Sequence, residues 1–147
     1  MKVKDVMSSN PKLQTPKSTL KEIAQEMLEL KTGVVPISEN DRLVGMVTDR
    51  DITIRAVAMG KNPNTPVEQI MTNKVLYCFE NDNIDQVLKN MKEQCVQRLV
   101  VLDNESDKHL VGMVSLSDIA KECTDDKIAQ YLVECNSRDA MATACCA

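Results

Sequence analysis

The chain states one nine-residue stretch twice. Leu43 to Asp51 reads LVGMVTDRD, and Leu110 to Asp118 reads LVGMVSLSD, 67 residues further on. Each copy is an apolar run with β-branched members, closed by a hydroxyl residue that is followed three positions later by aspartate. A run of that length predicts a buried strand, and its polar ending predicts the turn into a helix. Two such junctions confine the chain to a duplicated fold in which a strand feeds a helix once per repeat.

The junction has two readings. Thr48-x-x-Asp51 and Ser115-x-x-Asp118 fit a capping box, the hydroxyl accepting from a free backbone N–H while the carboxylate reaches back. The same chemistry suits a nucleotide. Amide groups at a helix start favour phosphate, and a carboxylate beside them can accept both hydroxyls of a ribose.

Charge restricts the partners. The net charge is −4, which argues against a nucleic-acid or anionic-membrane surface, so a phosphate would have to be held locally. Aromatic residues make up 2% of the chain, too few for stacking platforms on single-stranded nucleic acid. The core must therefore be built from Val, Ile, Leu and the nine Met. The N-terminus has no apolar export segment and no run reaches membrane-spanning length, so a cytoplasmic location is expected. Six cysteines without a C-x-x-C spacing read as reduced thiols behaving as small hydrophobes.

The repetition extends beyond the junctions. VKDVM (Val3 to Met7) matches VEQIM (Val67 to Met71), and Leu20 matches Ile84, both 64 residues apart, whereas Gly45 and Gly112 are 67 apart. Three residues have been gained, one assigned near Gln97 and Arg98 and two to the loop from Asp103 to His109. In the first repeat VKDVM reads as a short helical turn and Lys12 to Thr15 as an extended edge. Thr19-x-x-Glu22 caps a helix with Leu20, Ile23, Ala24, Met27 and Leu28 on its apolar face. Val34 to Ile37 is a strand that turns at Glu39-Asn40-Asp41 into LVGMV, and a closing helix runs from about Asp49 to Met59. Gly60, Pro63 and Pro66 punctuate the break between the repeats, whose linker is 61–66. The second repeat restates this order with a helix carrying Ile84, Val87, Leu88, Met91 and Cys95 inward. A last helix presents Ile128, Tyr131, Leu132 and Cys135 on one face, to pack on the module or on a partner, and the tail after Asn136 reads as frayed. The expected fold class is α+β, with repeats at 1–60 and 67–123 and a C-terminal helix and tail at 124–147.

With two β-α-β-β-α units and two G-hydrophobic-hydrophobic-[T/S]-x-x-D endings, the chain resembles a stand-alone tandem of cystathionine β-synthase (CBS) domains from about Val3 to Cys123. The second repeat, VQRLVV followed by VSLSD, is similar to the gamma subunits of AMP-activated protein kinase. The resemblance implies a pseudo-symmetric pair of repeats with two clefts between them, each able to take AMP, ADP, ATP or a related adenosyl compound. It implies Asp118 on the ribose, Ser115 and Ser117 at the ribose-phosphate end and Arg98 on a phosphate. Val75, Leu76, Tyr77, Cys78, Leu99 and Val100 would line the base. In the first repeat the matching set is Asp51 and Thr48, with Thr32 to Val35, Val34 among them, as lining and Thr15 near the base. Arg50 replaces Ser117 there, and would either reach a phosphate or pair with Asp49 or Asp51.

Other functions compete. Both signatures could serve only as caps in a dimerisation scaffold with empty clefts, and Ile52, Ala56 and Met59 could form a homodimer interface or belong to the core. Catalysis has poor candidates, since the single His109 falls in a predicted loop and nothing in the sequence shows a partner that would lower the pKa of Cys123. Cysteine spacing does not fit a metal site, and the Cys145-Cys146 pair would at most make a redox- or metal-responsive tail. The expected function is thus a regulatory, non-enzymatic module that needs no cofactor, senses an adenine nucleotide and acts on an unidentified regulated protein.

Overall fold

The structure, a computed structural model, describes residues 1–122 and 125–136. Cys123 and the tail at 137–147 lie outside the described residues, as does the side chain of Leu132. Strands β1 (Ser8–Ser9), β2 (Val34–Glu39), β3 (Arg42–Thr48), β4 (Tyr77–Phe79), β5 (Arg98–Leu102) and β6 (Leu110–Ser115) alternate with helices. The helices are α1 (Leu20–Leu30), α2 (Asp49–Asp51), α3 (Ile84–Gln94), α4 (Leu116–Ala120) and α5 (Asp125–Asn136). No helix among the described residues is long and apolar enough to cross a membrane.

The chain divides into two compact units that are offset from the sequence repeats. One is Lys12–Val75, and the other joins Met1–Pro11 to the chain from Leu76 onward. The VEQIM turn, with a 3-10 helix at Val67–Gln69, sends Val67 and Ile70 into a core with Leu20, Ile23, Val35 and Val47. Its sister VKDVM, with a 3-10 helix at Val3–Asp5, sends Val3 into a core with Ile84, Val87, Met91 and Ile119. Each turn therefore packs with the repeat that does not follow it in sequence.

Within Lys12–Val75, α1 starts as its sequence requires, Thr19 Oγ1 accepting from Glu22 N at 3.2 Å and Glu22 Oε2 from Thr19 N at 2.7 Å. The break between repeats is bound to this helix, since Thr65 O and Pro63 O accept from the Leu20 and Lys21 amides that a helix start leaves free. The hairpin β2–β3 turns on Asn40 and Asp41, both with positive φ, the geometry that matches strand twist. The structure departs from four expectations. The edge at Lys12 to Thr15 is a single bridge from Gln14 to Ile37, because a Thr15–Ser18 turn takes up the following backbone. The buried stripe of α1 runs through Leu20, Ile23 and Glu26, leaving Ala24 and Leu28 exposed. The closing helix is α-helical only over Asp49–Asp51 and continues as a π-helix at Ile52–Val57. Thr53 Oγ1 bonds the Asp49 carbonyl and three successive β-branched residues crowd the turn, both of which disfavour regular α-helix. Finally, Val34 faces Thr48 as Arg98 faces Ser115, and Ile37 faces Gly45 as Val101 faces Gly112. All three extra residues of the second repeat therefore lie in the β5–β6 loop, with none near Gln97.

Buried Glu26 has no hydrogen-bond partner for either carboxyl oxygen among the described residues. Burial, aided by the charge of Glu29, pushes its carboxyl above the ordinary range, while Gln14 and Lys12 oppose the shift. Folding then binds a proton more tightly than the unfolded chain does, so this stability is present in acid and is lost as pH rises through the raised folded pKa. Glu26→Met is expected to gain about 1–2 kcal/mol near neutral pH and much less at about pH 4, read from urea midpoints. An equal gain at both values would show that the carboxyl is not the cause.

In the other unit the sheet order is β1-β6-β5-β4, with β4 parallel to β5 and the remaining pairs antiparallel. Helix α3 buries Ile84, Val87, Leu88 and Met91 as its spacing requires and ends on Cys95 in the left-handed region. Helix α5 packs on α3 and α4 of its own unit, with Tyr131 buried and its hydroxyl donating to Val96 O.

Candidate functional site

Both repeated stretches fold as strand, cap and helix. Thr48 is the N-cap of α2, its Oγ1 accepting from Asp51 N at 3.0 Å while Asp51 Oδ2 accepts from Thr48 N at 2.9 Å. Ser115 caps α4 in the same way, its Oγ 3.1 Å from Asp118 N and Asp118 Oδ2 2.9 Å from Ser115 N. Ser115 Oγ also donates to Asp118 Oδ2 at 2.7 Å and lies 3.0 Å from Ser117 Oγ. The capping reading is therefore realised at both sites. It uses only one oxygen of each aspartate, so Oδ1 remains for another donor.

The sheet assembles much of the second set. Arg98 is the cross-strand partner of Ser115, and Tyr77 is the partner of Val100. Leu116 N bonds Gln97 O at 2.8 Å, which fixes the end of β5 against the start of α4. Tyr77 stands exposed with Phe79 edge-on at 5.6 Å and the Lys108 ammonium 5.6 Å from its ring centre. Cys78 and Leu99 instead point into the helix-side core with Val101. Only their backbone is left to line a ligand on the Arg98 face, since successive residues of a strand alternate sides. Burial pushes the Cys78 thiol up to about 12, with Asp82 adding to it, so this sulfur is not a nucleophile at neutral pH. Val75 is the last residue of the Lys12–Val75 unit, whereas the rest of its set belongs to the other unit.

The first set is less complete. Thr32 Oγ1 lies 3.2 Å from Val34 O, and Asp49 N bonds Gly33 O at 3.0 Å, which brings Thr32 and Val34 to Thr48. Gly33 thus occupies the place of Gln97, and Val34 that of Arg98, so the strand carries no cation here. A Cβ on Gly33 would lie 2.9 Å from Asp49 Oδ2, which ties the glycine to this close approach. Thr15 is not brought to the cap. Its neighbour Gln14 bridges Ile37, three residues along β2 from Val34, a separation of about 10 Å along a strand. Arg50 forms no ion pair among the described residues.

Cations outside the predicted site residues take the free carboxylate oxygens. Arg55 Nε stands 3.6 Å from Asp51 Oδ1, and Lys121 Nζ 3.8 Å from Asp118 Oδ1. Both lie one helical turn beyond the aspartate, a spacing visible in the sequence. His109 pairs with Asp103 at 3.2 Å and belongs to the β5–β6 loop. No cluster of three or more His, Cys, Asp and Glu side chains among the described residues converges as a metal site.

Against this geometry, the CBS domain family matches residues 3–57 and 67–125. Hypoxic response protein 1 of Mycobacterium tuberculosis is 34% identical over 142 residues, 95% of this chain and 97% of that protein. Its crystal structure with two coordinated zinc ions superposes with a TM-score of 0.74, covering 84% of this chain and 100% of that one. The CBS domain-containing protein YhcV of Bacillus subtilis is 33% identical over 118 residues, 80% of this chain and 82% of that protein. The CBS domain pair of protein MJ0100, in complex with 5'-methylthioadenosine and S-adenosyl-L-methionine, is 26% identical with a TM-score of 0.72, covering 83% of this chain and 94% of that one.

Proposed function

The chain belongs to the CBS domain family, and from that premise we propose that it is a regulatory, non-catalytic cytoplasmic module that binds an adenosine compound at its two signature aspartates. The observation that carries the reading is the spare carboxylate oxygen. The cap at Ser115 uses Asp118 Oδ2, while Oδ1 faces, among the described residues, a lysine whose side chain is 74% exposed. A ribose diol can therefore be accepted without dismantling the helix start. Arg98, opposite Ser115 on the sheet, supplies a guanidinium for a phosphate, and Ser117 a further hydroxyl. The adenosyl ligands held by the CBS pair of MJ0100 support the same class of ligand. AMP, ADP, ATP, S-adenosylmethionine and NAD share the adenosine that such a site reads.

The test is a thermal-shift screen of the full chain with those five compounds, GTP as the base control and Asp118→Ala in parallel. A ligand present at about one hundred times its dissociation constant adds about 2.7 kcal/mol, a shift of several degrees. The expected result is a shift with an adenosine compound, absent with GTP and largely lost in Asp118→Ala. Each shift is read against the same variant without ligand, because Ala also removes a cap. No shift with any compound would favour a constitutive scaffold.

We further propose that the module is a homodimer that acts on a regulated protein. Ile54 and Val57 on the π-helix and Met59 in the turn after it are exposed apolar side chains, whereas Ala56, on the same helix, is core. Val57→Glu is expected to convert the dimer to a monomer in sedimentation, and an unchanged mass would remove this face from consideration.

A further inference from the structure

The two signature carboxylates are not equally available. The side chain of Asp118 is 21% exposed and its free oxygen faces Lys121, whose side chain is 74% exposed. That of Asp51 is 6% exposed, and its free oxygen faces Arg55. Arg55 is anchored from its other end as well, Nη1 donating to Ile70 O at 3.2 Å and to Thr72 Oγ1 at 3.3 Å. A planar guanidinium bound to three groups on two segments is held in place in a way that an exposed ammonium is not. It reaches Asp51 from within the π-helix at Ile52–Val57, a rare helix form that is frequent at functional sites.

A ribose needs both hydroxyls accepted, and at Asp51 one carboxylate oxygen serves the cap while the other serves Arg55. We infer that Arg55 sets the occupancy of the Asp51 site by competing with the ligand for that carboxylate, an inference that rests on the adenosine reading above. Binding there requires the guanidinium to leave Asp51, which weakens the site relative to Asp118. Its departure also loosens the hold on Ile70 and Thr72. Thr72 is joined to Met46 by two backbone bonds of 2.9 and 2.8 Å, so the strand that carries the signature and the VEQIM turn sense the same arginine. The charge at Arg55 thereby makes the two sites fill in order, Asp118 before Asp51.

The experiment is calorimetric titration of the full chain with adenosine and with AMP, comparing Asp118→Ala with Asp118→Ala/Arg55→Met. Loss of an ion pair and its supporting bonds predicts about tenfold tighter binding of both compounds in the double variant. Unchanged affinity, or weaker AMP binding because Arg55 had turned to the phosphate, would overturn the inference. Wild-type protein that binds no adenosine compound would overturn the functional reading itself, whereas wild-type binding with no effect of Arg55→Met overturns this inference alone. Should Arg55→Met not fold, Arg55→Lys keeps the charge without the fork and is expected to shift affinity in the same direction by less. In ligand-free protein, either variant should speed amide exchange at Thr72, and unchanged exchange would count against the anchoring.

Discussion

Tyr131→Ala is expected to lower stability by about 3–5 kcal/mol, read as a fall in urea midpoint at constant slope. The ring is 1% exposed and shares a core with Val96, Met91 and Ile119, which deletion would leave as a cavity. Its hydroxyl adds a second component. It donates to Val96 O at the turn between α3 and β5, so α5 fastens the start of the strand that carries Arg98. Tyr131→Phe isolates this component and should cost about 1–2 kcal/mol by leaving a buried carbonyl unpaired. A cost below about 1 kcal/mol for the alanine variant would mean that α5 is not docked.

Gly112→Ala is expected to cost about 3 kcal/mol, the upper end for overpacking, because the obstructing atom is backbone. A Cβ there would sit 2.6 Å from Ser8 O and 2.9 Å from Met7 Sδ. Ser9 is the cross-strand partner of Gly112, so β1 would have to leave the sheet and take Val3 from its core. At the matching Gly45, a Cβ would meet Met71 Sδ at 2.7 Å and Thr72 O at 3.1 Å. A methionine end can turn away where a carbonyl cannot, so Gly45→Ala should cost less, about 1–2 kcal/mol. Amide exchange at Ser8 and Ser9 separates the cases. Fast exchange in Gly112→Ala with a normal core elsewhere is the expected result, and protected amides in a destabilised protein would exclude detachment of β1.

Much of the fold was legible because its signals are local. Thr19 with Glu22, Thr48 with Asp51 and Ser115 with Asp118 form the boxes that their three-residue spacing predicts, since each satisfies amides that a helix start leaves free. The α3 stripe followed helical periodicity for the same reason. The α1 stripe did not, because hydrophobicity alone cannot predict that a carboxylate at position 26 is taken inside while Leu28 is left outside. Of the candidate site, the hydroxyls and the aspartates were legible from the repeat, whereas Arg98, whose place Val34 takes in the first repeat, was implied only by the family resemblance. The spacing of Arg55 to Asp51 is local, but its hold on Ile70 and Thr72 spans 15 and 17 residues and is not encoded in local spacing.

By itself the sequence determined that there are two units of one design, each with an LVGMV strand, a hydroxyl cap and an aspartate at its end. Those features depend on contacts within about four residues, which pattern and spacing encode directly. Only the tertiary structure decided which unit each VxxxM turn completes. VKDVM and VEQIM carry the same local information, and either would fit beside either signature glycine. Long-range packing separates them, placing Met7 and Ser8 over Gly112 and Met71 and Thr72 over Gly45, so that each repeat is closed by the turn that precedes the other. The unequal state of the two carboxylates was decided at the same level, because burial and an arginine held across the fold are properties of packing.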